Sequence, residues 1–210
     1  MKRRSDEEIS APLYEYDAAV RAQYGCFAGV DEAGRGPLCG PVCVAACILD
    51  PEAPVYGIND SKKLTEKRRE ALFPVIQQRA VCWSVASVSA EEIDRTDILS
   101  ARMKAMQLAI DGLAQTPAFA LIDGNRDHGK QGAITTDHLC VVKGDSLSAS
   151  IAAASILAKV SRDHYMLEMA REYPQYQFER HKGYGTKLHY ELLRAYGPSP
   201  IHRRTFLKNL

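Results

Sequence analysis

Apolar residues along the chain occur in short blocks, and the spacing within each block predicts either a strand or a helix. Blocks of strand length, bounded by turn-forming residues, predict strands at 26–33, 42–49, 81–88, 118–122 and 138–143. The first two strands are joined by the segment DEAGRGPLCGP, in which Gly and Pro are so frequent that a turn is expected.

Helices are predicted where apolar residues recur every three or four positions behind a residue that can cap a first turn. Two begin at Thr65 and Asp97, and two more cover residues 148–172 and 186–196. The helix after Asp97 places its apolar residues on a single face: Leu99, Met103, Met106, Ile110 and Leu113. Residues 1–24 are polar and predict a segment that is partly helical or frayed.

The order of these elements predicts an α/β fold, because three strands come first and helices then alternate with strands. We expect a mixed sheet in which an antiparallel meander is followed by parallel additions. The 210 residues are 46% hydrophobic and 25% charged, which is typical of a globular protein whose core needs no disulfides. The predicted units are a polar N-terminal segment at 1–24, a main domain at 25–172 and a basic helical C-terminal subdomain at 173–210.

The charge of the chain is balanced overall but uneven along its length. The net charge is +1, which by itself indicates neither a nucleic-acid nor a membrane partner. Residues 62–70, however, contain five Lys or Arg against two Glu, and residues 175–210 contain seven against two. These two segments are therefore candidates for contact with an acidic partner.

Several classes of protein are excluded by what the sequence contains. The longest nearly apolar run, residues 38–49, is shorter than the roughly 20 residues of a membrane-spanning helix. The basic start MKRR continues into acidic residues without an apolar segment, so we recognise no secretory signal and expect a cytoplasmic protein. The spacing of Cys39, Cys43 and Cys47 matches no zinc motif. Because side chains alternate between the two faces of a strand, residues four apart would lie on the same face, and we expect the three cysteines to be small buried side chains.

Acidic residues follow three of the predicted strands. Asp31 and Glu32 end the first strand and lead directly into a Gly-X-Gly turn, and Asp123 and Asp145 follow two later strands. Because parallel strands bring such ends to one edge of a sheet, carboxylates there would repel unless cations such as Mg²⁺ or Mn²⁺ lay between them. Two such ions form the clamp used in phosphodiester hydrolysis.

Two questions about this acidic cluster stay open at the level of sequence. Adjacent strand residues point to opposite faces, so Asp31 and Glu32 reach one metal only if the strand breaks or if Glu32 uses its backbone carbonyl. Asp163, within a predicted helix, is an alternative fourth carboxylate to Asp145. Each of these acidic residues, taken alone, is more often an exposed turn or surface residue.

Other motifs indicate contacts with phosphate. Residues 124–130 read GNRDHGK, but the P-loop requires Ser or Thr next, and Gln131 with a poor helix start makes that interpretation fail. Ser61, Lys62 and Lys63 could instead bind phosphate oxygens from a loop. Tyr184, between two glycines and among lysines, could stack on a base or sugar, or could simply pack on the last helix.

Seven motifs together resemble those of bacterial ribonuclease HII, a type 2 ribonuclease H, over about residues 26–207. They are DEAGRGP at 31–37, NDSKKLT at 59–65, LIDGN at 121–125, KGD at 143–145, AAASILAKVSRD at 152–163, HKGYGTK at 181–187 and PIHRRTF at 200–206. The resemblance implies a ribonuclease H-like catalytic domain with a small helical C-terminal subdomain. It also implies a metal-dependent endonuclease that uses Mg²⁺ or Mn²⁺.

The resemblance further implies a role for individual residues. The four metal-binding carboxylates correspond to Asp31, Glu32, Asp123 and Asp145. The turn that reads a ribonucleotide 2′-hydroxyl, largely through its backbone, corresponds to Gly34, Arg35 and Gly36. The loop of Ser61, Lys62 and Lys63 corresponds to a phosphate contact, and Tyr184 to a tyrosine that packs on the next, deoxy, sugar.

The implied substrates are RNA–DNA hybrids and duplex DNA containing single ribonucleotides, cut on the 5′ side of the ribonucleotide to leave 3′-hydroxyl and 5′-phosphate ends. We expect a monomer, and no protein partner is recognisable in the sequence. The polar loop at 124–137 has no assigned role. Two rival functions are a nuclease or recombinase acting on all-DNA substrates and a hybrid-binding protein without catalysis, and cleavage of a duplex with one ribonucleotide separates all three.

Overall fold

The computed structural model describes residues 5–208, and its centre is a five-stranded mixed sheet. Residues 1–4 of the predicted N-terminal segment and the last two residues lie outside this description. The strands are β1 Phe27–Ala33, β2 Val42–Leu49, β3 Ala80–Val88, β4 Phe119–Asp123, β5 His128–Gly129, β6 Gly132–Ala133 and β7 His138–Val141. The sheet order is β3-β2-β1-β4-β7, and β5 pairs with β6 in a separate hairpin.

Helices pack around this sheet, and four of them begin where the sequence places their caps. They are α1 Asp6–Tyr24, α2 Glu66–Arg79, α3 Ala90–Arg95, α4 Ile98–Asp111, α5 Ala149–Glu172, α6 Phe178–His181 and α7 Lys187–Tyr196. The side chains of Thr65, Asp97, Ser148 and Thr186 each accept a hydrogen bond from the first turn of the helix that follows. No helix within residues 5–208 is long and apolar enough to cross a membrane.

The predicted strand directions are confirmed. Strand β1 pairs antiparallel with β2, and β2 pairs antiparallel with β3, which forms the meander. Strand β4 is parallel to both β1 and β7. The carboxyl ends of β1, β4 and β7 therefore lie along one edge of the sheet.

The two faces of the sheet are covered by different helices. Alternate residues of β2 point to opposite sides, so that Val44 packs in the cluster with α4 whereas Ala45 packs in the cluster with α5. The apolar face predicted for α4 is buried at Met103 and Met106. On the other face the Ala-rich first half of α5 lies against the sheet, because small side chains let the helix approach closely.

Helix α1 is attached to the start of α5 by a buried acidic side chain. The Asp17 carboxylate accepts hydrogen bonds from Ser148 Oγ at 2.6 Å, Ser150 N–H at 2.8 Å and Ser150 Oγ at 2.7 Å. Burial raises the pKa of Asp17, while these bonds oppose the shift.

The predicted division of the chain into three units, with boundaries at residues 24 and 172, stays a prediction.

The C-terminal residues pack over the second half of α5 and over the turn that follows β1. Leu38, Met166 and Phe178 are buried together in this region. The backbone is joined across it by Gly40 N–H to Ile201 O at 2.8 Å and Arg203 N–H to Leu38 O at 2.9 Å. The segment around residue 203 is thus fixed directly to the β1–β2 connection.

Two interpretations of local motifs can be compared with the structure. Cys39, Cys43 and Cys47 are buried free thiols as predicted, but Cys39 lies in the turn before β2 rather than on the strand. The placement of all three on one strand face was therefore wrong, because β2 begins only at Val42. After Gly124 the chain forms the β5–β6 hairpin and not a helix, so a P-loop is excluded.

Candidate active site at the edge of the sheet

Three aspartates meet where the parallel strands end. Asp31 lies near the end of β1, Asp123 is the last residue of β4, and Asp145 lies in the single 3₁₀ turn after β7. One carboxylate oxygen from each residue lies within 4.8 Å of the others. The sequence-based expectation that strand ends would gather these side chains is confirmed in its geometry.

The cluster is electrostatically unfavourable without a cation. Burial raises the pKa of Asp31 well above its usual value, and Glu32 and Asp123 raise it further. Burial also raises the pKa of Asp123, with a contribution from Glu32, and that of Asp145, with a contribution from Asp123. Lys62 Nζ is 3.5 Å from Asp145 Oδ2, but its side chain is 81% exposed, so solvent screens much of its charge.

These observations fit a hard divalent cation. Carboxylate oxygens are the ligands that Mg²⁺ and Mn²⁺ prefer, and three of them converge here from separate elements. A cation between them would offset the cost of burying these charges and the repulsion between them, the two effects that raise their pKa values.

Glu32 points to the opposite side of β1. The strand remains regular through this position, since Asp31 pairs with Ala45 and Glu32 with Val44. Glu32 consequently faces α4, where its Oε2 lies 2.9 Å from Arg102 Nε. Both atoms are buried and have no hydrogen bond of good geometry within the described residues. A metal-binding role for Glu32 stays a prediction.

Arg102 is a candidate site residue that our sequence analysis missed. Its side chain is buried on α4, and Nη2 donates a 2.6 Å hydrogen bond to the backbone carbonyl of Asp123. It thus connects Glu32 to the end of β4. The available signal was an arginine next to Met103 on an otherwise apolar helix face.

The turn after β1 depends on glycine at its first position. Gly34 has a φ of 95°, which side chains rarely tolerate, and a Cβ there would lie 2.2 Å from Arg162 Nε. Gly36 has open space around it, and Arg35 is exposed. The predicted substrate-reading turn is therefore accessible on one side and packed against buried arginine on the other.

The other predicted contact residues lie on two loops. Ser61, Lys62 and Lys63 form a 3₁₀ turn beside the aspartates, and Lys63 Nζ donates to Ser146 Oγ at 2.8 Å. Tyr184 is 42% exposed, with Lys159 Nζ 6.0 Å from its ring centroid. A cation beside an exposed ring offers both a stacking surface and a phosphate contact.

This combination of fold and acidic edge is that of a ribonuclease H-like nuclease. The chain belongs to the ribonuclease HII family, whose model matches residues 28–209. It is therefore a hydrolase that cuts nucleic acid internally, and its family acts on RNA–DNA hybrids with divalent metal ions.

Relatives and solved structures agree with this assignment. Ribonuclease HII from Aliivibrio fischeri strain MJ11 is 51% identical over 203 residues, which are 97% of this chain and 94% of that protein. Ribonuclease H2 from Pyrococcus horikoshii OT3 has a TM-score of 0.70 at 28% identity, covering 85% of this chain and 92% of that one. Archaeoglobus fulgidus RNase HII, solved in a complex with PCNA, has a TM-score of 0.69 at 26% identity, covering 85% of this chain and 93% of that one.

The choice between Asp145 and Asp163 leads to a kinetic prediction. Both oxygens of Asp163 are held by Lys159 Nζ, at 2.6 and 2.7 Å, whereas Asp145 lies with the other aspartates. We expect Asp145→Asn to lower the cleavage rate by about 100-fold or more, and Asp163→Asn by less than about 10-fold. Parallel rate measurements at saturating Mg²⁺ check this, and the opposite order would exchange the two assignments.

Proposed function

We propose that the chain cuts duplex DNA on the 5′ side of single embedded ribonucleotides, in addition to the RNA strand of hybrids, and leaves 3′-hydroxyl and 5′-phosphate ends. The observation that carries the proposal is the convergence of Asp31, Asp123 and Asp145 next to the lysine-bearing turn at 61–63. Phosphate would then be held by cations beside the place where metal is bound.

The residues that would hold metal are Asp31, Asp123 and Asp145, with Glu32 as the fourth predicted carboxylate. When bound, two Mg²⁺ or Mn²⁺ ions supply an activated water and stabilise the leaving 3′ oxygen. Lys62 and Lys63 would bind the phosphates of the cut strand.

Recognition of RNA at a single position requires a group that senses the 2′-hydroxyl. The accessible side of the turn at 34–36 is suited to this, because Gly36 has no side chain and open space around it, so its backbone can approach a sugar. Tyr184 would pack against the following sugar, where a 2′-hydroxyl is absent in DNA.

One assay tests the proposal against its rivals. Three duplexes of equal sequence are compared in Mg²⁺ and Mn²⁺: all-DNA, DNA with one ribonucleotide, and an RNA–DNA hybrid. We expect cleavage of the second and third only, with ligatable 5′-phosphate ends. Cleavage of the all-DNA duplex would favour the rival nuclease, and binding of the hybrid without cleavage would favour the non-catalytic rival.

Tyr184 should affect substrate choice more than affinity. Loss of stacking costs on the order of 1–3 kcal/mol of binding, but a misplaced phosphate lowers turnover steeply. We expect Tyr184→Ala to lower turnover on the single-ribonucleotide duplex by about 10- to 100-fold, and to lower turnover on the continuous hybrid less. Turnover and dissociation constants for both substrates are to be measured.

A matched control is available for this variant. Tyr56 is also 42% exposed and lies on the connection between β2 and α2, so Tyr56→Ala removes the same group elsewhere. It should behave as the wild type, and Tyr184→Phe should retain most of the activity. If Tyr184→Ala lowered turnover equally on the two substrates, Tyr184 would have no role in substrate selectivity.

A further inference from the structure

Two arginines are fully buried behind the predicted substrate loops. Arg162 on α5 and Arg203 in the C-terminal segment both have zero exposure. Within residues 5–208 neither guanidinium has a carboxylate oxygen within 4 Å, and backbone carbonyl groups accept their hydrogen bonds instead. A buried charge is costly, so such a complete set of carbonyl acceptors indicates a specific role for the guanidinium.

The carbonyl partners of Arg203 belong to the turn after β1. Nη2 donates to Gly34 O at 2.6 Å and Nη1 to Arg35 O at 3.2 Å. Nε donates to Gly40 O at 3.0 Å, at the far end of the same connection. One planar group therefore fixes two consecutive peptide units, which a lysine ammonium is poorly shaped to do.

The orientation of these peptides determines where their N–H groups point. In a trans peptide the C=O and the following N–H point in opposite directions, and no cis peptide occurs among the described residues. With Gly34 O and Arg35 O turned toward Arg203, the N–H groups of Arg35 and Gly36 point away from it. Neither N–H has an acceptor within the described part of the chain.

Space is open around these two peptides, because Arg35 and Gly36 are both exposed and a Cβ on Gly36 would meet nothing within 4 Å. A cation bound to a carbonyl polarises the amide and strengthens its N–H as a donor. Burial and the neighbouring Arg162 lower the pKa of Arg203 to about 10, so the group remains charged at neutral pH.

We propose that Arg203 is a positioning residue for ribonucleotide recognition: by binding the carbonyls of Gly34 and Arg35, it aims the N–H groups of Arg35 and Gly36 at the ribose 2′-hydroxyl. The inference rests on the proposed function, because it requires that the turn contacts the ribonucleotide. It assigns a function to Arg203 of the PIHRRTF motif, which lies 169 residues away from Gly34 in sequence.

The test uses Arg203→Lys, which retains the charge but not the planar fork. In Mg²⁺, kcat/KM is measured on a duplex with one ribonucleotide, and an unlabelled all-DNA duplex of equal sequence serves as a competitive inhibitor. We expect kcat/KM to fall at least tenfold while the inhibition constant of the all-DNA duplex stays within twofold. General binding to DNA would thus be preserved, and only the increase in kcat/KM that comes from recognising the 2′-hydroxyl would be lost.

Two further variants separate positioning from loss of stability. Leu72, a buried residue of α2, makes no contact described for the turn at 34–36, and Leu72→Ala creates a cavity that serves as a destabilised control, which should retain kcat/KM when folded at the assay temperature. Phe206 lies under the guanidinium, 5.2 Å from Arg203 Cζ to the ring centroid. Phe206→Leu keeps all the hydrogen-bond donors of Arg203 and should lower kcat/KM on the single-ribonucleotide duplex by two- to fivefold. This measurement is informative even if Arg203→Lys does not fold.

The outcomes distinguish this inference from the proposed function. A folded Arg203→Lys with kcat/KM within twofold of wild type would overturn the positioning role. It would also be overturned if inhibition by the all-DNA duplex weakened by the same factor as kcat/KM fell. If Arg203→Lys does not fold, an unaffected Phe206→Leu overturns it. Wild-type protein that cuts the all-DNA duplex as readily as the ribonucleotide duplex would overturn the proposed function itself.

Discussion

Asp31→Asn is expected to abolish metal-dependent cleavage while making the metal-free protein more stable at neutral pH. Asp31 is buried on β1, and its oxygen is one of the three that converge. Asparagine keeps the shape and can still accept the Glu32 N–H bond that Asp31 Oδ1 accepts at 2.7 Å. Because an amide binds divalent cations poorly, the rate should fall by about 100-fold or more.

The stability effect follows from the sign of the pKa shift. The pKa of Asp31 is higher in the folded than in the unfolded protein, mainly because of burial. Its contribution to stability is therefore greatest below the unfolded pKa and is lost as the pH rises through the folded pKa. At pH 7, well above the unfolded pKa, the acid group destabilises the fold relative to an uncharged side chain, and its removal should raise the free energy of unfolding by on the order of 1–3 kcal/mol.

Urea unfolding in chelator at two pH values checks this prediction. The gain of Asp31→Asn should be present at pH 7 and should largely disappear below about pH 4, where aspartate is protonated in both states. Asp111→Asn alters an exposed carboxylate on α4 and should change neither stability nor rate. A variant that is less stable than wild type at pH 7, or that cuts at the wild-type rate, would contradict the assignment.

The acidic edge could be predicted because it depends on local pattern and on a general rule. Each strand was recognisable from its apolar block, and the alternation with helices indicated that β1, β4 and β7 run parallel. Given that direction, Asp123 and Asp145 must emerge at the same edge as Asp31. No knowledge of distant contacts was needed for this step.

The residues that support the site were not predictable in the same way. The direction of Glu32 depended on whether β1 stays regular, which its pairing with β2 decides. The functions of Arg102 and Arg203 depend on which carbonyls they meet, 21 residues away for Asp123 and 169 for Gly34. Periodicity reports the face of an element but not the partner across a long separation in the chain.

Gly29→Ala adds a single methyl group and is expected to destabilise the protein more than any other methyl addition that we propose. Gly29 lies in the middle of β1, and a Cβ there would lie 2.2 Å from the backbone carbon of Ser150 and 2.3 Å from Ile151 N in α5. Neither neighbour is a flexible side chain, so relief requires that strand and helix separate. We expect a loss of about 3 kcal/mol or more in the free energy of unfolding.

The same displacement should reach the active site in the fraction that remains folded. Asp145 lies four residues before α5 begins, in the turn that leads to its cap Ser148, and Asp31 follows Gly29 by two positions. Pushing the start of α5 away from β1 would therefore move two of the three aspartates relative to each other. Cleavage by Gly29→Ala should fall even under conditions where circular dichroism shows a folded protein.

Gly132→Ala provides the matched comparison for this prediction. It adds the same methyl group in strand β6, where the nearest atom, Ser100 O, is 4.0 Å away. Its unfolding free energy should stay within about 0.5 kcal/mol of wild type, and its rate should be unchanged. If Gly29→Ala melted within a degree or two of Gly132→Ala, β1 and α5 would have to be able to separate freely. The close approach of helix to strand could then not be what fixes Asp31 and Asp145 in register.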